Sequence, residues 1–319
     1  MKTSVHPQPS TLRSHHPNVR WTLRHLLCLL LPFLLLAAAP LSAQTALTWD
    51  PAATQAGTQI YTHPNTNAGD YTFSVVVPAG SAAGMRFRLN VSAGNADLYV
   101  KQGSVPTTGS YGFASAVAGS DLIALNPNQY STGQTWYILV KAFAGASWTL
   151  LAGDAAVTLP WDPGTTDAGS LAYAHPDTAP GDYWFRLTTQ STATGGWRTA
   201  LRVNSGEAHV YLKLGSLPAP SSFDYKSERT GSDGWVLRPD QFSAGQQWFI
   251  LVRVIGAAAW TLCSGEVFVQ NLGPLQWNDN GNGVYDIGET ALPSGSGSVS
   301  IGPEAMRFCK AIVPTGTPA

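Results

Sequence analysis

Cysteine is scarce, with three in 319 residues. One of them, Cys28, lies in an apolar run near the amino terminus. Only Cys263 and Cys309 are left for the folded part, which excludes a disulfide framework as the source of stability. Charge is scarce too: charged residues make up 12% of the chain, and the formal net charge is −1. No basic stripe is available for a phosphate backbone, which argues against nucleic acid as a partner. Sustained helical periodicity is missing, and beyond Ala39 no apolar run is long enough to cross a bilayer. Also absent are a Gly-x-Ser-x-Gly elbow, a His-Glu-x-x-His zinc helix and a Walker loop. Nothing in the chain assembles a catalytic site, and it reads as no enzyme in its own right.

What is present suits a turn-rich β protein: 32 Gly, 22 Pro and 11 each of Trp, Tyr and Phe. The amino terminus reads as an export signal over residues 1–43. Lys2, Arg13, Arg20 and Arg24 form its basic region, Leu26 to Ala39 its apolar run, and Leu41-Ser42-Ala43 a small-residue cleavage site. A retained membrane anchor is the alternative, but the run is short for one. Removing the signal leaves 14 basic against 19 acidic residues, and a secreted, extracellular protein with no membrane span is expected.

The dominant signal is a duplication. Trp49-Asp50-Pro51 recurs 112 residues later as Trp161-Asp162-Pro163. The same offset carries Tyr61, His63 and Pro64 onto Tyr173, His175 and Pro176. It carries Gly69-Asp70-Tyr71 onto Gly181-Asp182-Tyr183, and Leu98-Tyr99-Val100-Lys101 onto Val210-Tyr211-Leu212-Lys213. Gly133, Trp136 and Trp148 match Gly245, Trp248 and Trp260 without a gap. Within the first copy, short two-fold apolar patterns predict strands at Tyr71 to Val77, Met85 to Ser92, Asp97 to Lys101, Asp121 to Leu125, Trp136 to Phe143 and Trp148 to Leu151. The fold class expected is all-β: tandem antiparallel β-sandwiches, jelly-roll-like, over residues 45–153 and 157–265, joined by a short connection from Asp154 to Pro160. A third copy starts at Leu275-Gln276-Trp277 and runs through 273–319, with about eight extra residues relative to the first. It breaks off before most of its strands. Either the sequence is part of a longer polypeptide with downstream domains, or this segment docks on the second domain.

Asn95-Ala96-Asp97-Leu98-Tyr99-Val100-Lys101, Gly103-Ser104-Val105-Pro106-Thr107-Thr108 and Gly133-Gln134-Thr135-Trp136-Tyr137-Ile138-Leu139-Val140 resemble the bacterial pre-peptidase C-terminal (PPC) domain. The second copy departs from that pattern, with His209 in place of the Asp and Ala219-Pro220 in place of the Thr pair. The resemblance implies a β-sandwich appended to secreted peptidases and other exported hydrolases, non-catalytic as a rule. Some relatives bind collagen or polysaccharide. It implies an extracellular polymer or cell-surface partner here, or an accessory role beside a catalytic domain that follows residue 319.

Three local patterns carry candidate chemistry. Asn278 to Glu289 has the spacing of a calcium loop of the EF-hand type: Asn278, Asn280, Asn282, Asp286 and Glu289 place oxygens at positions 1, 3, 5, 9 and 12, with the Val284 carbonyl at 7 and Gly283 at the turn. The competing reading is a polar Asn-Gly turn. Calcium is thus the one expected cofactor. Alternation in the predicted strand Asp97 to Lys101 puts Tyr99 and Lys101 on the face opposite Leu98 and Val100, and Tyr211 and Lys213 repeat this. An outward Tyr beside Lys suits stacking on sugars or peptide backbones, although a Tyr lying flat across its own sheet gives the same pattern. Finally, His63 and His175 recur beside Asp50/Asp162 and Asp70/Asp182, as a His-Asp pair or as turn elements of a duplicated scaffold. Trp136 and Trp148 are expected in the core. Cys263 aligns with Leu151 and reads as a buried substitute for it, with a bond to Cys309 left open.

Overall fold

The structure, a computed structural model, describes residues 44–175, 179–190, 195–274 and 308–312. The export signal and the loop from Asn278 to Glu289 lie outside the described residues.

The protein is all-β. The first sandwich comprises β1 (Thr45–Ala46), β2 (Tyr61–Thr62), β3 (Gly69–Val76), β4 (Met85–Ala93), β5 (Ala96–Gln102), β6 (Phe113–Ser115), β7 (Asp121–Leu125), β8 (Thr135–Ala142) and β9 (Ser147–Asp154). The second comprises β10 (Ala156–Thr158), β11 (Tyr173–Ala174), β12 (Gly181–Thr188), β13 (Trp197–Ser205), β14 (Ala208–Leu214), β15 (Tyr225–Ser227), β16 (Asp233–Leu237), β17 (Gln247–Val254) and β18 (Ala259–Glu266). Sheet orders are β1-β3-β8-β5-β6 over β2-β9-β4-β7 in the first, and β10-β12-β17-β14-β15 over β11-β18-β13-β16 in the second. Topology is therefore duplicated strand for strand. Successive strands mostly alternate between the sheets, and β2 to β9 follow jelly-roll order, with β1 added parallel to β3.

Strict alternation explains why these segments pair face to face. On β5, Ala96, Leu98 and Val100 are buried; on β8, Trp136, Ile138, Val140 and Ala142 are. These residues and Trp148 belong to one cluster between the two sheets, and the second sandwich repeats it with Val210, Trp248, Ile250 and Trp260. A single-residue slip would turn this apolar set to solvent, so the pattern fixes the register.

The segment from Asp154 to Pro160 is more than a connection. β10 lies within it and pairs in parallel with β12, Ala156 opposite Trp184. The sandwiches also share a third buried cluster. In it Leu122 and Ala124, on the outer side of β7, meet Trp184, Tyr211, Phe249 and Leu251, on the outer side of the second five-stranded sheet. The contact runs head to tail: the four-stranded sheet of one copy receives the five-stranded sheet of the next. Polar anchors cross it as well: the Leu217 N–H donates to Asn126 Oδ1 at 2.8 Å, the Ala156 N–H to the Ala83 carbonyl at 3.0 Å, and the Gln55 side-chain amide to the Trp184 carbonyl. After the second sandwich, β19 (Val269–Pro274) pairs in parallel with β20 (Phe308–Ile312), the same sense as the β1·β3 and β10·β12 pairs.

Candidate functional site

Tyr99 and Lys101 do lie on the outer face of β5, in register with Leu139 and Tyr137 of β8. Tyr99 is 9% exposed, with the ring of Tyr111 5.4 Å away and 48% exposed. Burial, the Asp97 carboxylate and Tyr111 raise the Tyr99 pKa. Lys101 Nζ donates to Ser110 Oγ at 2.8 Å. Val76 and Val105 are exposed as well, and Lys141 stands 6.0 Å from the exposed Phe143 ring. The first sandwich thus presents an open tract of tyrosine, valine and lysine.

Tyr211 and Lys213 occupy the same positions of the second sandwich; the lysine keeps the same kind of partner, while the tyrosine meets a different fate. Tyr211 is 2% exposed, sealed in the contact between sandwiches. Its hydroxyl donates to Glu228 Oε1 at 2.6 Å, and burial with that neighbouring carboxylate raises its pKa. Lys213 Nζ donates to Ser222 Oγ. A ring enclosed in this way offers no face for stacking, and Tyr99 itself is nearly covered, so the expected outward Tyr face is absent in both copies; in the first, the exposed aromatic surface is that of Tyr111 beside it.

Of the repeated His and Asp residues, His63, His175, Asp50 and Asp162 each have structural partners of their own. His63 is sandwiched between Trp148, stacked at 4.5 Å, and Tyr71 at 4.1 Å, and its Nδ1–H donates to the Asn65 carbonyl. His175 repeats this against Trp260 at 5.0 Å and Tyr183 at 4.2 Å. Asp70 is exposed in register with Lys141. Asp50 is fully buried and accepts N–H bonds from Ala52 at 2.8 Å, Thr58 at 2.5 Å and Gln59 at 2.9 Å. Burial alone would raise its pKa, but those amides and the Arg86 guanidinium, 3.4 Å away, hold it below the ordinary carboxylate value. Arg86 is equally buried and donates to the carbonyls of Gln55 at 2.9 Å and Thr54 at 3.3 Å. The pair therefore clamps residues 50–59 onto the four-stranded sheet. Asp162 does the same with Gly164, Leu171 and Arg198. Sequence reasoning missed both arginines; their signal was a charged residue inside an apolar strand pattern.

Among the described residues no group of three His, Cys, Asp or Glu side chains gathers as a metal site. The calcium-loop candidates Asn278, Asn280, Asn282, Val284, Asp286 and Glu289 lie outside them. Cys263 is a buried free thiol on β18. A groove of about 180 Å³ lined by Ala46, Leu47, Thr48, Gln59, Ile60 and Tyr61 is smaller than a ligand pocket of the usual ~300 Å³ or more. No described helix is long and apolar enough to cross a membrane.

No family model matches the chain, and no curated protein does. Among solved structures, similarity is found to a protein from Eubacterium rectale described as secreted, at 9% identity, TM-score 0.21, over 65% of this chain and 72% of that one. It is also found to the Streptomyces avermitilis α-L-rhamnosidase, at 12% identity, TM-score 0.23, over 69% of this chain and 26% of that one. At such TM-scores neither likeness carries an argument.

Proposed function

We propose that the chain is a secreted, non-catalytic segment built from tandem PPC-type jelly rolls, and that the first sandwich binds an extracellular polymer, polysaccharide or protein, through the outer face of its five-stranded sheet. The observation that supports this is the unequal use of one face. The second copy's aromatic and aliphatic version is consumed by the contact between sandwiches, while the first copy's leaves Tyr111 and Val105 exposed and Lys101 and Lys141 half-exposed. A flat tract of aromatic and aliphatic groups flanked by ammonium groups suits an extended partner better than a small molecule. His63, His175, Asp50 and Asp162 are engaged in holding the scaffold, which supports the non-catalytic reading.

Co-sedimentation with insoluble polysaccharides and with collagen fibrils tests the proposal. Tyr111→Ala should weaken retention on the polymer that binds by at least about tenfold, the effect of losing a central aromatic anchor. Because Tyr111 is about half exposed, its loss should leave the melting temperature almost unchanged. Retention equal to wild type would sink the proposed face.

A further inference from the structure

Each sandwich buries an aspartate at the start of its seventh strand, and only one of the two is fully partnered. In the second copy, Asp233 Oδ1 accepts from Ser227 Oγ at 2.5 Å and from the Arg229 N–H at 3.0 Å. Its Oδ2 faces His209 Nδ1 at 3.4 Å, and His209 Nε2 lies 3.4 Å from Glu207. In the first copy these places hold Asp121, Asp97 and Asn95. Asp121 is 1% exposed. Its Oδ1 keeps the equivalent partners, Ser115 Oγ and the Val117 N–H at 3.2 Å. Its Oδ2, the atom that in the other copy meets the imidazole, has no hydrogen-bond partner. What replaces the imidazole is a second carboxylate.

We propose that Asp97 and Asp121 bind a divalent cation of the calcium class, with Asp121 Oδ2 and the Asp97 carboxylate as protein ligands and water completing the shell. A buried carboxylate oxygen without a donor is costly, and an acid beside it adds repulsion. Burial first, then the Asp97 charge, raises the Asp121 pKa, although the Ser115, Val117 and Leu98 groups oppose this. The second copy meets the same need with an imidazole, His209 Nδ1 facing the Asp233 carboxylate. The first offers no cationic side chain at that position, so the charge must come from solution. Asp97 is held in place for this role, because Asn95 Nδ2 donates to its Oδ1 at 3.3 Å while Asn95 Oδ1 is fixed by the Gly119 N–H at 3.1 Å. Two carboxylates are few for an ion that takes 6–8 oxygens, so affinity should fall in the range of extracellular modules, a Kd of roughly 10⁻⁴ to 10⁻³ M.

The test uses the full secreted chain and calcium chloride alone. Asp97→His writes the second copy's solution into the first. Glu289→Gln disables the separate Asn278–Glu289 loop. Calcium at about ten times Kd should raise the Tm of the first sandwich by roughly 5 °C in wild type and in Glu289→Gln. Asp97→His should lose that rise while being at least as stable as wild type without calcium. An equal calcium response in wild type and Asp97→His would overturn the site. So would a wild type that ignores calcium and gains stability only on acidification, because a proton would then occupy the place of the metal.

Discussion

On the outer face of the five-stranded sheet, the second sandwich carries Trp184, Phe249, Leu217 and Phe223 where the first carries Thr72, Tyr137, Val105 and Tyr111. Both faces are built by the same strands in the same order. The receiving face differs in the complementary way: Ala83, Leu122 and Ala124 in the first sandwich correspond to Gly195, Gly234 and Val236 in the second. Topology thus places a surface, and a handful of substitutions decides whether it becomes an interface or stays open. Each replacement on the second copy's face either adds apolar area or removes a hydroxyl, which favours burial.

The largest effects should come from the buried ion pairs, and they should be unequal. Asp50→Ala leaves Arg86 buried without its carboxylate, a loss of about 3–5 kcal/mol by urea unfolding. Asp162→Ala should cost less, because Arg198 stands 3.6 Å from Asp162 and its side chain is 9% exposed. Equal losses would show that the longer, partly exposed Arg198 pair is no softer than the fully buried Arg86 pair. Both carboxyls are held below their ordinary value of 3.8. Their contribution is therefore full above that pH and fades as pH falls through the lower folded value, and Asp50→Ala should flatten part of the acid limb. Next in size, Trp184→Ala should destabilise by about 3–4 kcal/mol, while the corresponding Thr72→Ala should stay within about 0.5 kcal/mol. Similar values for the two would break the contrast between a sealed and an open face.

The long strands were legible because alternation and aromatic content are strongest where both sheets press on the core. Predicted Met85 to Ser92 and Asp121 to Leu125 agree with β4 and β7 to within a residue. The strands β1, β2 and β6 were not foreseen, being two or three residues long and too short to show a period. Burial of Trp136 and Trp148 followed from their size, and both lie in the core. The unlike environments of Tyr99 and Tyr211 could not be read from their own segments, which are nearly identical. They depend on Trp184 and Phe249, which are brought beside Tyr211 only by strand order. In the same way the Asp50 clamp needs Gly153 of β9, remote from Asp50 in the chain and bridged to it in space. A Cβ at Gly153 would collide with the Asp50 backbone, and Gly265 stands in the same relation to Asp162.

A milder core substitution makes the two copies alike at one more position. Cys263 pairs with Ala200 across β18 and β13, as Leu151 pairs with Arg88 across β9 and β4. Both side chains are buried against a loop glycine, Gly169 beside Cys263 and Gly57 beside Leu151. Because the first copy accommodates leucine under the same loop, Cys263→Leu should change stability by no more than about 1.5 kcal/mol. Burial pushes the Cys263 thiol up to about 11, so at pH 8 only about one thiol in a thousand is ionised. Native wild type should accordingly resist iodoacetamide at that position and react once unfolded in urea. Rapid labelling of Cys263 in the native protein would show that the loop over β18 opens, and that the second sandwich is the looser of the two.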